Sequence, residues 1–504
     1  MNPRVAQQTE EQLRAYIQRG NTAAGMPSFS DLPDKDLLSL AKYLRRINND
    51  TILTPVISPE TVRKIHWGPP QPGEWLTYNG NDSANRYSPL QQITTANVSS
   101  LKLKWIFPIN YFGLETTPLA DGAWLYVTGP NQVFALDALT GAVIWHYSRP
   151  PTSGLIGDAK LGTNRGVGIL RDKVFFVTDN AHLVALDRAT GNLRWETTMP
   201  ADEHQPYGGT TAPLIVGDTV IAGVAGGDHG IRGFVAAYKV DSGELAWRHW
   251  TVPTATLGGS TWLTGAYDAS SDTLYWPTGN PWPDGDDRDR PGDNLYTNCV
   301  LALDAKTGEL RWHYQFTPHD LKDRDATEPN VLVDTTYKGK PSKLLLHADR
   351  NGFFYVLDRT EGNVLLAKPF LRRIDWAKSI GTDGRPVVVD PKGCPSDAAN
   401  WDSTAFSPET RLYYFMALEE CTGKPTGYPD QTGQRFLRAL NIDTGEIAWE
   451  VPQPGPARAK TWSGVLATAG GLLFYGQPNG GFTAADQRTG KTLWQFPTNV
   501  RMKG

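Results

Sequence analysis

One pattern returns along most of this chain and limits what it can fold into: an apolar pair, Asp or a substitute, three residues, Gly, three residues, Trp. It reads "ALDALTGAVIW" ending at Trp145, "ALDRATGNLRW" at Trp195, "AYKVDSGELAW" at Trp247 and "ALDAKTGELRW" at Trp312. It continues as "VLDRTEGNVLL" with Leu366 in the Trp place, "ALNIDTGEIAW" at Trp449 and "AADQRTGKTLW" at Trp494. A degenerate first copy, "TANVSSLKLKW", ends at Trp105. Each copy has apolar and β-branched alternation on both sides of a D-x-x-T-G turn whose Gly can take positive φ, the signature of strand–turn–strand. One such sheet cannot bury both faces alone, whereas radial stacking around an axis can. Eight copies therefore predict an all-β, eight-bladed β-propeller with the Trp residues between neighbouring blades.

Composition agrees with that reading. A chain of 504 residues is large for one domain unless it is a barrel or a repeat architecture, and 50 Gly with 37 Pro is turn-rich. The intervals from Trp247 to Trp312 and from Leu366 to Trp449 are the longest, so they carry insertions, where functional loops of a propeller are expected. The first of these ends at Trp312, and "TPHDLKDRDATEPN" follows it at once, with Asp320, Asp323, Asp325 and Glu328 crowded beside His319. In extended chain, residues i and i+2 share a face, so Asp323 and Asp325 are expected to point one way and Arg324 the other.

The chain divides into three parts. Residues 1–50 have helical periodicity, with Leu37, Leu38, Leu40, Ala41, Leu44 and Ile47 in one stripe and a helix start at Pro33–Asp34. Residues 51–72 hold five prolines and read as a linker; residues 73–504 form the propeller. A net charge of −4 without a long basic run argues against nucleic acid or an anionic membrane as partner. No stretch approaches the 18 or so apolar residues of a membrane span, and the polar N-terminus is not a secretory signal. Three cysteines allow at most one internal disulfide; Cys394 and Cys421 flank a loop-rich segment and Cys299 lies in a strand-like run.

Over about residues 74–500, the repeat and its inserts resemble the pyrroloquinoline quinone (PQQ)-dependent alcohol dehydrogenases. The stretches that carry the resemblance are "GGSTWLTGAYD", "YWPTGNP", "RPGDNLYTN", "WHYQFTPHD", "LLLHADRNGFFYVLDR" and "WSGVLATAGGLLFYG", in that order. The resemblance implies that a quinone ring lies on Trp262 and that Arg165 pairs with a cofactor carboxylate. It further implies contacts from Thr210, Gly226, Gly227, Asn400 and Trp462. A guanidinium suits the bidentate task given to Arg165. For the metal it implies Ca²⁺ or a lanthanide held by oxygen ligands from Asp228, Asn280, Asp323 and, two residues on, Asp325. Asp323 is also implied as catalytic base, and Arg350 as the cation beside the reactive carbonyl.

Two departures from the family pattern stand out. Asp228 in "AGGDHGIRG" replaces the usual Glu and is one methylene shorter. Ala159 and Lys160 stand where many members have two adjacent, bridged cysteines. Family members often bridge the positions of Cys394 and Cys421, which implies a periplasmic or otherwise exported protein.

Residues 13–50 resemble the C-terminal half of a cytochrome c domain, with Met26 at the axial-ligand position. No C-x-x-C-H occurs, so haem c is not expected in this chain. The chain stops at Gly504 soon after "LWQFPTN", so an incomplete last blade and a fragment of an exported protein are expected. The function expected is PQQ- and metal-dependent oxidation of an alcohol, polyol or sugar, with electrons passed to a cytochrome c or other acceptor. The alternatives are a non-catalytic eight-bladed scaffold of the outer-membrane assembly type and an inactive quinoprotein.

Overall fold

Every copy of the repeat that ends at Trp145 or later becomes the last two strands of a four-stranded antiparallel meander. A computed structural model describes residues 9–20, 28–48 (backbone only from 42), 59–62, 65, 71–111, 114–202, 204–420, 433–454, 463–477 and 480–498. Two units separate by their internal contacts, Met1–Val56 and Ile57–Gly504.

In the larger unit, blade 1 runs Leu119–Asp121, Trp124–Gly129, Gln132–Asp137 and Val143–Ser148. Blade 2 is Gly168–Leu170, Lys173–Val177, His182–Asp187 and Leu193–Thr198. Blade 3 is Leu214–Val216, Thr219–Gly223, Phe234–Lys239 and Leu245–Trp250. Blade 4 is Ala266–Asp268, Thr273–Pro277, Cys299–Asp304 and Leu310–Gln315. Blade 5 is Val331–Tyr337, Lys340–Ala348, Phe353–Asp358 and Val364–Pro369. Blade 6 is Ala405–Ser407, Leu412–Glu419, Gln434–Asn441 and Ile447–Pro452. Blade 7 is Val465–Thr468, Leu472–Gly476, Gly481–Asp486 and Thr492–Pro497, with Tyr87–Ser88 added in parallel at its edge. In each blade the pairing of the last two strands shifts register at the apolar pair before the turn, as between Ala185 and Leu186 or Ala302 and Leu303. That bulge recurs because the repeat recurs.

The core is a series of layers between blades. One layer joins Phe175, Val177 and Ala185 of blade 2 to Ala222, Phe234 and Ala236 of blade 3; another joins Tyr275 and Ala302 of blade 4 to Leu345 and Tyr355 of blade 5. Each repeat Trp from Trp145 to Trp449 reaches into the turn of the next blade. Trp145 Nε1 donates to Arg188 O at 3.0 Å, and Trp247 Nε1 to Ala305 O at 3.1 Å. The turn Gly is required twice. Gly191 has φ +74°, and a Cβ there would lie 2.5 Å from the Trp145 ring. Where Leu366 replaces Trp, it occupies the same seat against Gly445.

The described residues form seven blades, not the eight that the repeat count predicts. The degenerate copy ending at Trp105 accounts for the difference. Val98–Ser100 is a single 3₁₀ turn, and the chain from Leu101 to Ile109 pairs in no sheet. Its Trp still docks as the others do, Trp105 Nε1 donating to Ala138 O at 3.1 Å with the ring against Gly141. Val98 packs with Leu472 and Ala484 of blade 7, and Trp494 Nε1 donates to Leu101 O at 3.2 Å. The segment therefore bridges blades 7 and 1 through side chains. It lacks the D-x-x-T-G turn that would fold it onto a partner strand, which is why counting the Trp marker overstated the sheets.

In the smaller unit, α1 (Glu10–Arg19) and α2 (Asp34–Asn48) bury Leu13 and Ile17 against Leu37 and Ala41. Thr9 and Gln12 close a reciprocal capping box at the start of α1, and Arg14 pairs with Asp34 at 2.9 Å. Leu44 and Ile47 of the expected stripe, and Met26, lie outside the described side chains. Pro59–Val62 forms a helical turn, and Ile65 is buried with Trp124 and Trp145 of blade 1.

Candidate active site

Antiparallel alternation decides where loops emerge. The connection from one blade's last strand to the next blade's first, and the loop between second and third strands, lie at the same end of the blades. The D-x-x-T-G turns lie at the other. Arg165, Thr210, Trp262, Asp323, Asp325 and Asn400 are in connections between blades; Asp228, Asn280 and Arg350 are in loops between second and third strands. Residues scattered over some 235 positions of sequence thus meet at one end of the propeller.

They meet around a cavity of about 550 Å³. Asp323, Asp325, Arg350, Arg165, Thr210, Gly226, Gly227, Asp228, Trp262 and Asn400 all line it. Asn280 is buried one layer behind, its backbone N–H donating to Asp325 Oδ1 at 2.6 Å and its Nδ2 to Pro281 O at 3.3 Å. Trp462 lies outside the described residues.

Asp325 is the hub. Besides the Asn280 N–H, it accepts from Trp262 Nε1 at 3.2 Å and from Arg350 Nη2 at 3.3 Å, both at Oδ2. Arg350 Nη1 donates to Asp323 O at 3.0 Å, and Nη2 also donates to Asn400 Oδ1 at 3.2 Å. The Asp323 carboxylate is half-exposed to the cavity, with Oδ2 3.8 Å from Arg350 Nη1. Asp323 has φ +56°, so the segment is not extended there as the sequence reading assumed. Both acids still reach the cavity while Arg324 turns the other way, fully buried, donating to Gly393 O at 2.6 Å and Pro395 O at 2.8 Å. Asp320 accepts from Arg324 N at 2.6 Å and Lys322 N at 3.0 Å, holding the loop together; His319 Nδ1 meets Gly292 O at 2.6 Å.

The electrostatics are lopsided. Burial pushes the carboxyl groups of Asp323 and Asp325 up; Arg350 opposes this and the neighbouring acids, Asp228 among them, reinforce it. Six carboxylates line the cavity (Glu115, Asp158, Asp228, Asp323, Asp325 and Asp397) against the guanidiniums of Arg165 and Arg350. On the far wall Arg165 lies between two indoles, 4.8 Å from the Trp262 ring centroid and 4.6 Å from that of Trp401. It donates to Glu115 Oε2 at 2.8 Å, while its buried Nε meets no acceptor among the described residues. Thr210 Oγ1 donates to Trp262 O at 3.3 Å.

Glu115, Trp401, Ser260, Asp397 and His229 also line the cavity and were not singled out from the sequence. Repeat phase was the available signal: Glu115 enters blade 1 as Thr210 enters blade 3 and Trp262 enters blade 4. At the rim, Gly157–Lys160 forms one helical turn where the family's paired cysteines are absent, and Ala159 fills the space in front of Gly208. Cys394 is disulfide-bonded and Cys299 is a buried free thiol; Cys421 lies outside the described residues.

Residues 75–367 match the family model of the glucose/ethanol/alcohol dehydrogenase β-propeller domain that takes its name from PQQ. A quinohemoprotein alcohol dehydrogenase of Pseudomonas putida is 36% identical over 492 residues, covering 84% of this chain and 70% of that protein. A lanthanide-dependent methanol dehydrogenase of Methylacidiphilum fumariolicum (strain SolV) is 35% identical over 499 residues, covering 84% and 80%. Among solved structures, a europium-containing methanol dehydrogenase superposes with a TM-score of 0.78 at 32% identity, covering 86% of each chain. Residues 428–503 match a second family model, that of outer membrane protein assembly factor BamB.

The chain belongs to the PQQ-dependent (quinoprotein) alcohol dehydrogenase family, oxidoreductases acting on CH–OH donors.

Proposed function

We propose that the cavity binds PQQ beside a hard cation and oxidises an alcohol, polyol or sugar. The observation that carries this is the convergence of Asp228, Asp323 and Asp325 on a cavity floored by Trp262, with too few cations to balance them. Oxygen-only donors of this kind suit Ca²⁺ or a lanthanide. Asp228, Asn280, Asp323 and Asp325 would hold the ion. The second acid, Asp325, raises the negative charge of the set, which favours a trivalent ion, and lanthanide-dependent relatives support the same choice.

The residues present also suit the quinone. Trp262 offers a partly exposed indole, the free Nε of Arg165 is a donor for its carboxylates, and Thr210 is a further contact by family resemblance. The Gly226–Gly227 backbone leaves the wall open to close approach; a Cβ on Gly227 would lie 2.6 Å from Ser260 Oγ. Asn400 holds the Nη2 edge of Arg350, and Trp462 is a further contact by family resemblance. When bound, PQQ supplies a two-electron acceptor and the ion a Lewis acid.

The chain's own residues do the rest. Asp323 takes the substrate hydroxyl proton on its carboxylate, and Arg350 stabilises negative charge developing beside it. The Asp323 carboxylate would be favoured in its ionised form by a cation bound beside it, against the burial and neighbouring acids that push its pKa up. Electrons then pass to a cytochrome c or another acceptor, and the protein acts in the periplasm, a location suited to the disulfide at Cys394. Haem c has no attachment motif here. Residues 1–50 serve as a helical, cytochrome c-like segment, residues 51–72 as a Pro-rich connection, and the rest as the catalytic propeller.

Spectral titration of the apo-protein with PQQ plus Ca²⁺ or La³⁺, then dye reduction with an alcohol panel, tests this reading. Tight binding and turnover are expected. No binding with either ion favours a scaffold, and binding without turnover an inactive quinoprotein with Asp228 as the altered ligand.

A further inference from the structure

The acids after Trp312 do not end at the cavity wall. Glu328 is fully buried, and neither of its oxygens has a hydrogen-bond partner among the described residues. Its position explains what holds it. Oε2 lies 3.5 Å from His347 Nε2, and Oε1 lies 3.9 Å from Arg350 Nε, which itself meets no acceptor within hydrogen-bond distance. His347 Nε2 is also 3.2 Å from Asp349 Oδ2, and its ring stacks on Phe316 at 4.2 Å. The second strand of blade 5 ends at Ala348 and so delivers His347, Asp349 and Arg350 to one place from four consecutive positions.

These three groups, Glu328, His347 and Asp349, have their ligand-type atoms within 4.8 Å of one another, close enough to hold an ion. Charge argues for a different role. The carboxyl groups of Glu328 and Asp349 already face the His347 imidazole, and Glu328 also faces the Arg350 guanidinium. Burial works against charge on His347, but Asp349 and Glu328 outweigh it and raise its pKa.

Arg350 has both Nη atoms committed to Asp323, Asp325 and Asn400. A guanidinium is planar, so fixing its Nε edge from behind leaves one orientation for the Nη edge. We propose that Glu328 is a positioning residue: held between His347 and Asp349 on one side and Arg350 on the other, its carboxylate pins the Nε edge of Arg350 so that both Nη atoms face the reacting groups. Its consequence for turnover rests on the role proposed above for Arg350; the pinning itself does not.

The first readout therefore uses the full chain without cofactor or metal. In protein carrying isotope-labelled arginine, the Arg350 Nε–H signal is identified by its loss in Arg350→Lys, and its hydrogen exchange is timed. Exchange is expected to quicken at least about tenfold in Glu328→Ala, with Glu328→Gln in between because its amide still offers an acceptor. The second readout is the enzyme loaded with PQQ and La³⁺. There kcat is expected to fall about 10- to 100-fold in Glu328→Ala, with partial rescue in Glu328→Gln, while KM stays within about threefold. Should the alanine variant fail to fold, Glu328→Gln carries both readouts. Unchanged exchange overturns the proposal, whereas altered exchange with unchanged kcat leaves the pinning standing and overturns the role of Arg350 in turnover. One equivalent of zinc that copurifies with the chain and is lost in Glu328→Gln also overturns the proposal, since it would make the cluster a metal centre. If wild-type protein binds neither PQQ nor La³⁺, the reading of the cavity fails, and the exchange experiment still decides the pinning.

Discussion

The aspartates of the repeat turns and those of the cavity are the same residue in opposite conditions. Asp187 Oδ1, in a D-x-x-T-G turn, accepts from Ala189 N at 3.1 Å, Thr190 N at 2.8 Å and Thr190 Oγ1 at 2.8 Å. Asp486 and Asp304 are held by the same pattern of backbone donors. At Asp304, the hydrogen bond from Arg311 and those turn amides lower the pKa to about 2. The cavity acids are pushed the other way, because burial removes water and the nearest neighbours of Asp323 and Asp325 include more carboxylates than arginines. An acid whose donors come from its own turn and the strand that follows it stabilises the fold. An acid sunk in a cavity among other carboxylates is held in place by the fold, and is available for chemistry.

The largest way to break this contrast is Asp323→Asn. Asparagine tolerates the positive φ at this position, so the fold should survive. Dye-linked turnover with PQQ and metal supplied should drop by about 10²–10⁴-fold, the range for losing a general base, while the thermal transition stays near that of the wild type. Asp325→Ala comes next. Terbium luminescence, sensitised through Trp262, should report weaker ion binding on the order of 10- to 100-fold. The loss should be greater for La³⁺ than for Ca²⁺, because one negative charge leaves the ligand set.

A pair of pH experiments sharpens the contrast with opposite signs. Asp402 is buried beside the cavity wall, both its carboxylate oxygens lack partners among the described residues, and burial with Glu115 nearby raises its pKa from 3.8 to about 8. A raised carboxyl pKa favours the neutral form in the folded state, so stability falls as pH rises from about 4 through about 8. Asp402→Asn should flatten that slope in urea unfolding curves. Asp304 is depressed, so its contribution is present above the unfolded value and lost as pH falls towards about 2; Asp304→Asn should remove part of the acid-side loss. The smallest effect is expected at Asp187→Ala, about 1 kcal/mol in urea unfolding with kcat unchanged, since three turn hydrogen bonds and a surface ion pair with Arg194 are exchanged for water.

Legibility followed the same division. The turn pattern was readable because its partners are local: Asp, Thr and Gly within five positions make their own bonds, and the Trp that follows meets the same Gly in the next copy. The blade count failed at Trp105 for the same reason. The marker Trp was present without the turn, and a Trp can dock on Gly141 without any strand pairing behind it. The cavity residues named from family resemblance nearly all reach one cavity. Glu115 and Trp401 were passed over because no short motif sets them apart, and only their phase, four positions before the first strand of a blade, does; Ser260 lies inside "GGSTWLTGAYD" and was passed over beside Trp262. Nothing in the local sequence sets Glu328 apart from the other acids of its cluster, since the partners that decide its role, His347 and Arg350, lie about twenty positions away, on the second strand of blade 5 and in the loop after it.

The sequence by itself determined a propeller of Trp-linked sheets and a family whose chemistry is alcohol oxidation, because periodic local bonds and ordered motifs both survive as linear text. Only the tertiary structure decided that the described residues form seven blades rather than eight, and which acids of "TPHDLKDRDATEPN" face the cavity. Burial and charge neighbours exist only once distant loops converge, and those set what each carboxylate can do.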